Sequence, residues 1–173
     1  MTNHTYFNLA GHDAGDIHDH VLEMKASHYT PIVKGAIPTG EIAPVEGTPF
    51  DFTSAKRIGK DIDGEEEQLK LVGGYDHNWV IDDADGSLQE FATVTEPVSG
   101  RVMKAYTDLP GVQFYASNSM NIVGAKGGAH YQNRAALCLE TQYYPDTANK
   151  PQFPSAVFGP DRAYDTVTVY KFV

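Results

Sequence analysis

Four short stretches of the 173-residue chain carry side chains able to move protons or hold a polar ligand. In ALCLETQYY (136–144), a β-strand places Ala136, Cys138, Glu140 and Gln142 on one face and Leu137, Leu139, Thr141 and Tyr143 on the other. Glu140 then lies mid-strand among small residues, where partial loss of water raises a carboxyl pKa toward the range of a general base. A glutamate facing solvent from a half-exposed sheet satisfies the same pattern. In NHTYFNLAG (3–11), strand alternation sets His4, Tyr6 and Asn8 against Thr5, Phe7 and Leu9, so one face has the composition of a site and the other that of a core.

GGYDHNWV (73–80) follows a glycine pair suited to a tight turn with an acid, an amide and large aromatic faces, with Asp76 central among them. Such a mixture suits a sugar, whose hydroxyls pair with acids and amides while its C–H faces stack on rings. An Asp that caps its own turn is the plainer account. In PGVQFYAS (110–117), Gln113 and Tyr115 share a face opposite Val112 and Phe114; Gln113 can exchange hydrogen bonds with a hydroxyl or simply face water. Asp82, Asp83, Asp85 and Gly86 lack the twelve-residue ligand pattern of a calcium loop and read as a surface turn. His12, His18 and His20, interleaved with Asp13, Asp16 and Asp19, match no zinc spacing and read as a solvated loop. Cys138, without a basic neighbour in sequence, reads as an inert thiol in the core or beside the site.

The elements that must position these groups are strands. Tyr, Phe, Val and Thr are frequent, Gly and Pro recur at short intervals, and no long stretch has a helical apolar period. Strands are expected over 20–26, 77–82, 88–95, 101–107, 112–117, 136–144 and 165–173, with a single short helix over EEEQLKL (65–71). This is an all-β pattern, an antiparallel β-sandwich in one domain. Thirteen basic against 23 acidic residues leave a net charge of −10, which argues against nucleic acid and anionic membrane as partners and leaves a neutral or cationic small ligand. One cysteine precludes an internal disulfide and fits a reducing compartment; with no apolar span and no leader pattern at its start, the chain is expected to be cytoplasmic.

NHTYFNLAG, GGYDHNWV, PGVQFY and LETQYYPDTANKPQFPS, joined by PTGEIAPVEGTPFDF (38–52), together resemble the galactose mutarotase (aldose 1-epimerase) family in order and spacing over nearly the whole chain. The resemblance implies a mutarotase-like β-sandwich that interconverts the anomers of free hexoses such as galactose and glucose without cofactor or metal. It assigns His4 as general acid, Glu140 as general base, Asp76 and Gln113 as sugar-binding residues, and Tyr6 as a neighbour of the ligand. It also implies that residues 1–173 are the C-terminal part of the family's domain, so an incomplete sandwich with exposed edges is expected, together with self-association or a partner that supplies the N-terminal half. A non-catalytic carbohydrate-binding protein, an inactive truncated mutarotase and a glycosidase using Asp76 with Glu140 are the competing readings.

Overall fold

A computed structural model describes residues 1–173. Twelve strands and one short helix follow in the order β1 (Val21–Met24), β2 (His28–Thr30), β3 (Ile32–Val33), β4 (Ile37–Pro38), β5 (Ala43–Pro44), β6 (Lys56–Arg57), α1 (Glu67–Val72), β7 (Asp76–Val80), β8 (Gln89–Thr95), β9 (Val102–Thr107), β10 (Gly111–Tyr115), β11 (Cys138–Gln142) and β12 (Thr168–Phe172). Two five-stranded sheets result, ordered β12-β9-β8-β1-β6 and β11-β10-β7-β2-β5, with β3 and β4 as a separate ribbon. Every pairing is antiparallel, as expected of the sandwich. The seven anticipated strands all form, each shorter than expected, with β7 and β10 beginning one residue earlier; the short β2–β6 were not anticipated.

Alternation explains the core. On β9, Met103, Ala105 and Thr107 point inward, while on β10 Val112 and Phe114 do so. A register shift between Glu90 and Ala92 lets both Phe91 and Ala92 on β8 become buried. Twenty-five residues form one continuous apolar cluster, including Phe50, Phe52, Tyr75, Trp79 and Phe114, whose ring centroids lie 5.2–6.1 Å apart in several tilted and edge contacts. Trp79 Nε1 donates to the Phe50 carbonyl at 3.0 Å, so its indole is buried without an orphaned donor. The helix is short because Glu66 caps it, accepting from the Leu69 N–H, and Gly73 ends it in the left-handed region at φ 69°.

Residues 3–11 do not form the strand that their alternation suggests. Only Phe7 enters the sheet, exchanging two backbone hydrogen bonds of 2.8 and 2.9 Å with Leu137, beside the start of β11. The segment is nevertheless held down. Thr2 Oγ1 donates to the Thr141 carbonyl at 2.9 Å, and the Tyr170 hydroxyl sits between Asn3 Oδ1 and the Leu139 carbonyl. Asn8 turns away from His4 and Tyr6 and donates to the backbone carbonyls of Gly15 and Ala135. Farther on, the Leu9 N–H donates to His20 Nε2 at 3.0 Å and Arg101 donates to the Leu9 carbonyl at 2.7 Å.

His20 therefore departs from the solvated-loop expectation: it is buried, and burial lowers its pKa so that it serves as a neutral acceptor. The hydroxyls of Thr2 and Tyr170 satisfy carbonyls along the outer edge of β11, whereas the outer edge of β12 carries exposed Val169 and Phe172. No helix is long and apolar enough to cross a membrane.

Candidate active site

Three adjacent strands, β7, β10 and β11, present alternate residues on the outer face of their sheet. The pairing aligns Asn78, Gln113 and Glu140 in one row and Asp76, Tyr115 and Cys138 in the next. Their inward alternates, including His77, Trp79, Val112, Phe114 and Leu139, are core residues, and that anchoring fixes where the outward groups point. The N-terminal segment covers part of this face and brings His4 and Tyr6 over β11.

His4 Nε2 lies 3.3 Å from Glu140 Oε1. The other ring nitrogen, Nδ1, lies 3.5 Å from Cys138 Sγ. Glu140 is only 8 % exposed, which removes the water-facing alternative. Its pKa is raised, mainly by burial, with the charge of Asp76 adding to the shift and His4 opposing it. Asp76 is also raised by burial, against the opposing effects of a hydrogen bond from Gln113 and of His4. Two desolvated carboxyl groups thus share one depression with an imidazole between them and open space.

A chain of amides orients the floor. Gln113 Nε2 donates to Asp76 Oδ1 at 2.8 Å, so Asp76 is engaged across the sheet instead of capping its own turn. Gln142 Nε2 in turn reaches Gln113 Oε1 and Asn78 Oδ1, each at 3.1 Å. Because Gln113 donates through one end and accepts through the other, its amide orientation is set by its neighbours. The rings of His4 and Tyr6 lie 4.9 Å apart, and Tyr115 stands edge-on to both at 6.0 and 6.4 Å. Together with Asn118, Ser119 and Pro145 these groups line an open cavity of about 570 Å³, room enough for a monosaccharide. Burial pushes the Cys138 thiol up, so it is held in the neutral form, beside the site as its sequence context suggested.

All five residues singled out from sequence, His4, Tyr6, Asp76, Gln113 and Glu140, line this one cavity. Gln142 and Tyr115 were legible only as face-mates of Glu140 and Gln113. Arg134 and Asn118 carried no signal at all. Arg134 donates to the Gly73 carbonyl at 2.7 Å and to Asn118 Oδ1, while Asn118 donates to the carbonyls of Val72 and Tyr75 at 3.0 and 3.1 Å. This clamp aims the start of β7 and hence Asp76. It requires glycine at 74, where φ is +137° and a Cβ would lie 2.6 Å from both Arg134 Nη1 and Asn118 Oδ1.

The antiparallel sandwich has counterparts among solved structures. The GalM/aldose epimerase homologue from C. elegans superposes with a TM-score of 0.81 at 31 % identity, covering 99 % of this chain and 50 % of that one. Galactose 1-epimerase from Lactobacillus acidophilus NCFM follows at 0.75 and 26 %, covering 99 % of this chain and 48 % of that one. The class is thus the galactose mutarotase-like β-sandwich. Residues 1–171 match the family model described as aldose 1-epimerase, and the chain belongs to that family. Galactose mutarotase from Homo sapiens is 41 % identical over 175 residues, covering 99 % of this chain and 49 % of its own length, and aldose 1-epimerase from Escherichia coli (strain K12) is 34 % identical, with 100 % and 50 % covered. The chain spans about half the length of the curated relatives it matches.

Proposed function

We propose that this chain carries the acid–base pair of an aldose 1-epimerase and interconverts the α and β anomers of a free hexose such as galactose or glucose. The observation that carries the reading is the 3.3 Å approach of His4 Nε2 to a desolvated Glu140 carboxyl at the rim of a cavity floored by Asp76 and Gln113. Glu140, as carboxylate, takes the proton of the anomeric hydroxyl. His4, in its protonated form, gives the Nε2 proton to the ring oxygen; the C1–O5 bond breaks and the open-chain aldehyde forms. Rotation about the C1–C2 bond followed by the reverse transfers closes the other anomer, returning both groups to their starting states. Burial favours this assignment, since a carboxyl group raised toward neutral pH is a stronger base than one in water. Asp76 and Gln113 hold sugar hydroxyls, and Tyr6 with Tyr115 offers aromatic faces to C–H groups.

The match to about half of each relative supports taking residues 1–173 as the C-terminal part of the family's domain. The exposed outer edge of β12 supports self-association or a partner chain. Polarimetry of freshly dissolved α-D-galactose and α-D-glucose tests the activity. Acceleration that disappears in Glu140→Gln supports it, and no acceleration by a folded protein leaves a carbohydrate-binding role in its place.

A further inference from the structure

We infer that His4, Cys138 and Glu140 also form a three-donor site for a borderline-soft divalent cation of the zinc class. One imidazole nitrogen, one sulfur and one carboxylate oxygen lie within 4.8 Å of one another. Tetrahedral zinc, with ligands at about 2.0–2.3 Å, holds neighbouring donor atoms roughly 3.3–3.7 Å apart. The His4–Glu140 pair is already at 3.3 Å through Nε2, whereas Cys138 Sγ faces Nδ1 at 3.5 Å, so the imidazole must rotate for Nε2 to serve both partners. Cys138 and Glu140 are fixed two residues apart on one face of β11 by its ladder with β10. The backbone around His4 is tied to the sheet at Thr2, Asn3 and Phe7, but its own side chain is 48 % exposed, so rotation about the side-chain bonds admits an ion between the imidazole and the strand.

The surroundings favour a cation. The cavity wall includes two carboxyl groups, Asp76 and Glu140, and no lysine or arginine. Sulfur and imidazole donors favour Zn²⁺ or Co²⁺ over Mg²⁺ and Ca²⁺, which demand oxygen. Three protein ligands leave a fourth position, which opens on the cavity and takes water. On ligation the Cys138 thiol releases its proton to solvent as sulfur binds the ion, and the imidazole binds through Nε2 with its hydrogen on Nδ1. An ion held there occupies both groups that the proposed proton transfers use. Inhibition of mutarotation is therefore the consequence, and that consequence, unlike the binding itself, rests on the proposed function.

The test is a titration of the metal-free chain with Co²⁺, following the thiolate-to-cobalt charge-transfer band in the near ultraviolet, with Zn²⁺ then added to displace it. The expected result is one equivalent bound with the band present, the band absent in Cys138→Ser, and affinity weakened more than about 100-fold in His4→Ala, beyond the 10–100-fold that outer-shell changes cost. His4 is half exposed, so His4→Ala keeps the fold and serves if Cys138→Ser does not. Lack of saturable binding overturns the inference. So does binding without a thiolate band, or binding undiminished in both variants, which would place the ion on surface pairs such as His18 and Asp16, 3.4 Å apart and without sulfur. Polarimetry in the presence of Zn²⁺ forms a separate arm: inhibition is expected in the wild type and lost in Cys138→Ser. If the chain fails to accelerate mutarotation at all, the proposed function falls while the cobalt titration still decides the site.

Discussion

Replacing Glu140 with Gln should slow anomer interconversion and stabilise the protein at the same time. The amide preserves shape and packing at a position that is 8 % exposed, yet it cannot accept the anomeric proton. A positioned general base contributes roughly 10²–10⁴-fold, or about 3–5 kcal/mol of barrier. The stability effect has the opposite sign. The folded-state pKa of Glu140 is raised above its unfolded value, chiefly by burial, so the native chain binds the proton more tightly than the unfolded one. Stability from this group is fully present below the unfolded pKa and is lost as pH rises through the folded value. At pH 7 the buried charge is a net cost, and Gln removes it, so the variant should gain more in melting temperature at pH 7 than at pH 5. Polarimetry with α-D-galactose and thermal unfolding at those two pH values, run on wild type and variant, read both effects. An unchanged rate refutes the assignment of Glu140 as base. A loss of rate accompanied by an equal loss of melting temperature at both pH values refutes the desolvation argument, because it reports a damaged fold.

His4→Ala should reduce kcat by a comparable factor of roughly 10²–10⁴ with little change in sugar affinity, whereas Asp76→Asn should act mainly on KM, and steady-state polarimetry over a range of galactose concentrations separates the two. Gly74→Ala should destabilise the fold by at least about 1–3 kcal/mol, since the left-handed backbone disfavours a side chain and the new Cβ meets the Arg134–Asn118 clamp; urea unfolding measures it. Acidification should weaken the fold through His77, whose pKa burial lowers to about 4. The unfolded chain binds the extra proton between about pH 6.5 and 4, so stability falls as pH drops through that window, by up to about 3 kcal/mol, and denaturation of His77→Gln across the same range should lack that component.

Strand positions and the faces of β10 and β11 were legible in the sequence because alternation is a local rule: Leu137 and Leu139 must face the core if Cys138, Glu140 and Gln142 do not. Family resemblance carried His4, Asp76 and Gln113 to the same site from stretches well separated in the chain. What local rules did not decide is visible at three places. Residues 3–11 alternate like a strand but are held by side-chain contacts from Asn8, His20, Arg101 and Tyr170, since only Phe7 finds an open ladder position. His20 lies in a stretch rich in Asp and Gly, yet it is buried because the Leu9 N–H needs an acceptor there. Arg134 aims Asp76 from a distant part of the chain through the turn at Gly73 and Gly74.

The sequence by itself therefore determined seven of the twelve strands, the inward and outward residues of β10 and β11, and the types of group available for acid–base chemistry. Only the tertiary structure decided that Glu140 is desolvated, that His4 meets it at 3.3 Å with Cys138 at its other nitrogen, and that Gln142 orients Gln113. The physical reason is that pKa values and proton-transfer geometry depend on which surfaces exclude water and on how neighbouring strands register. Both are set by pairings between residues far apart in the chain.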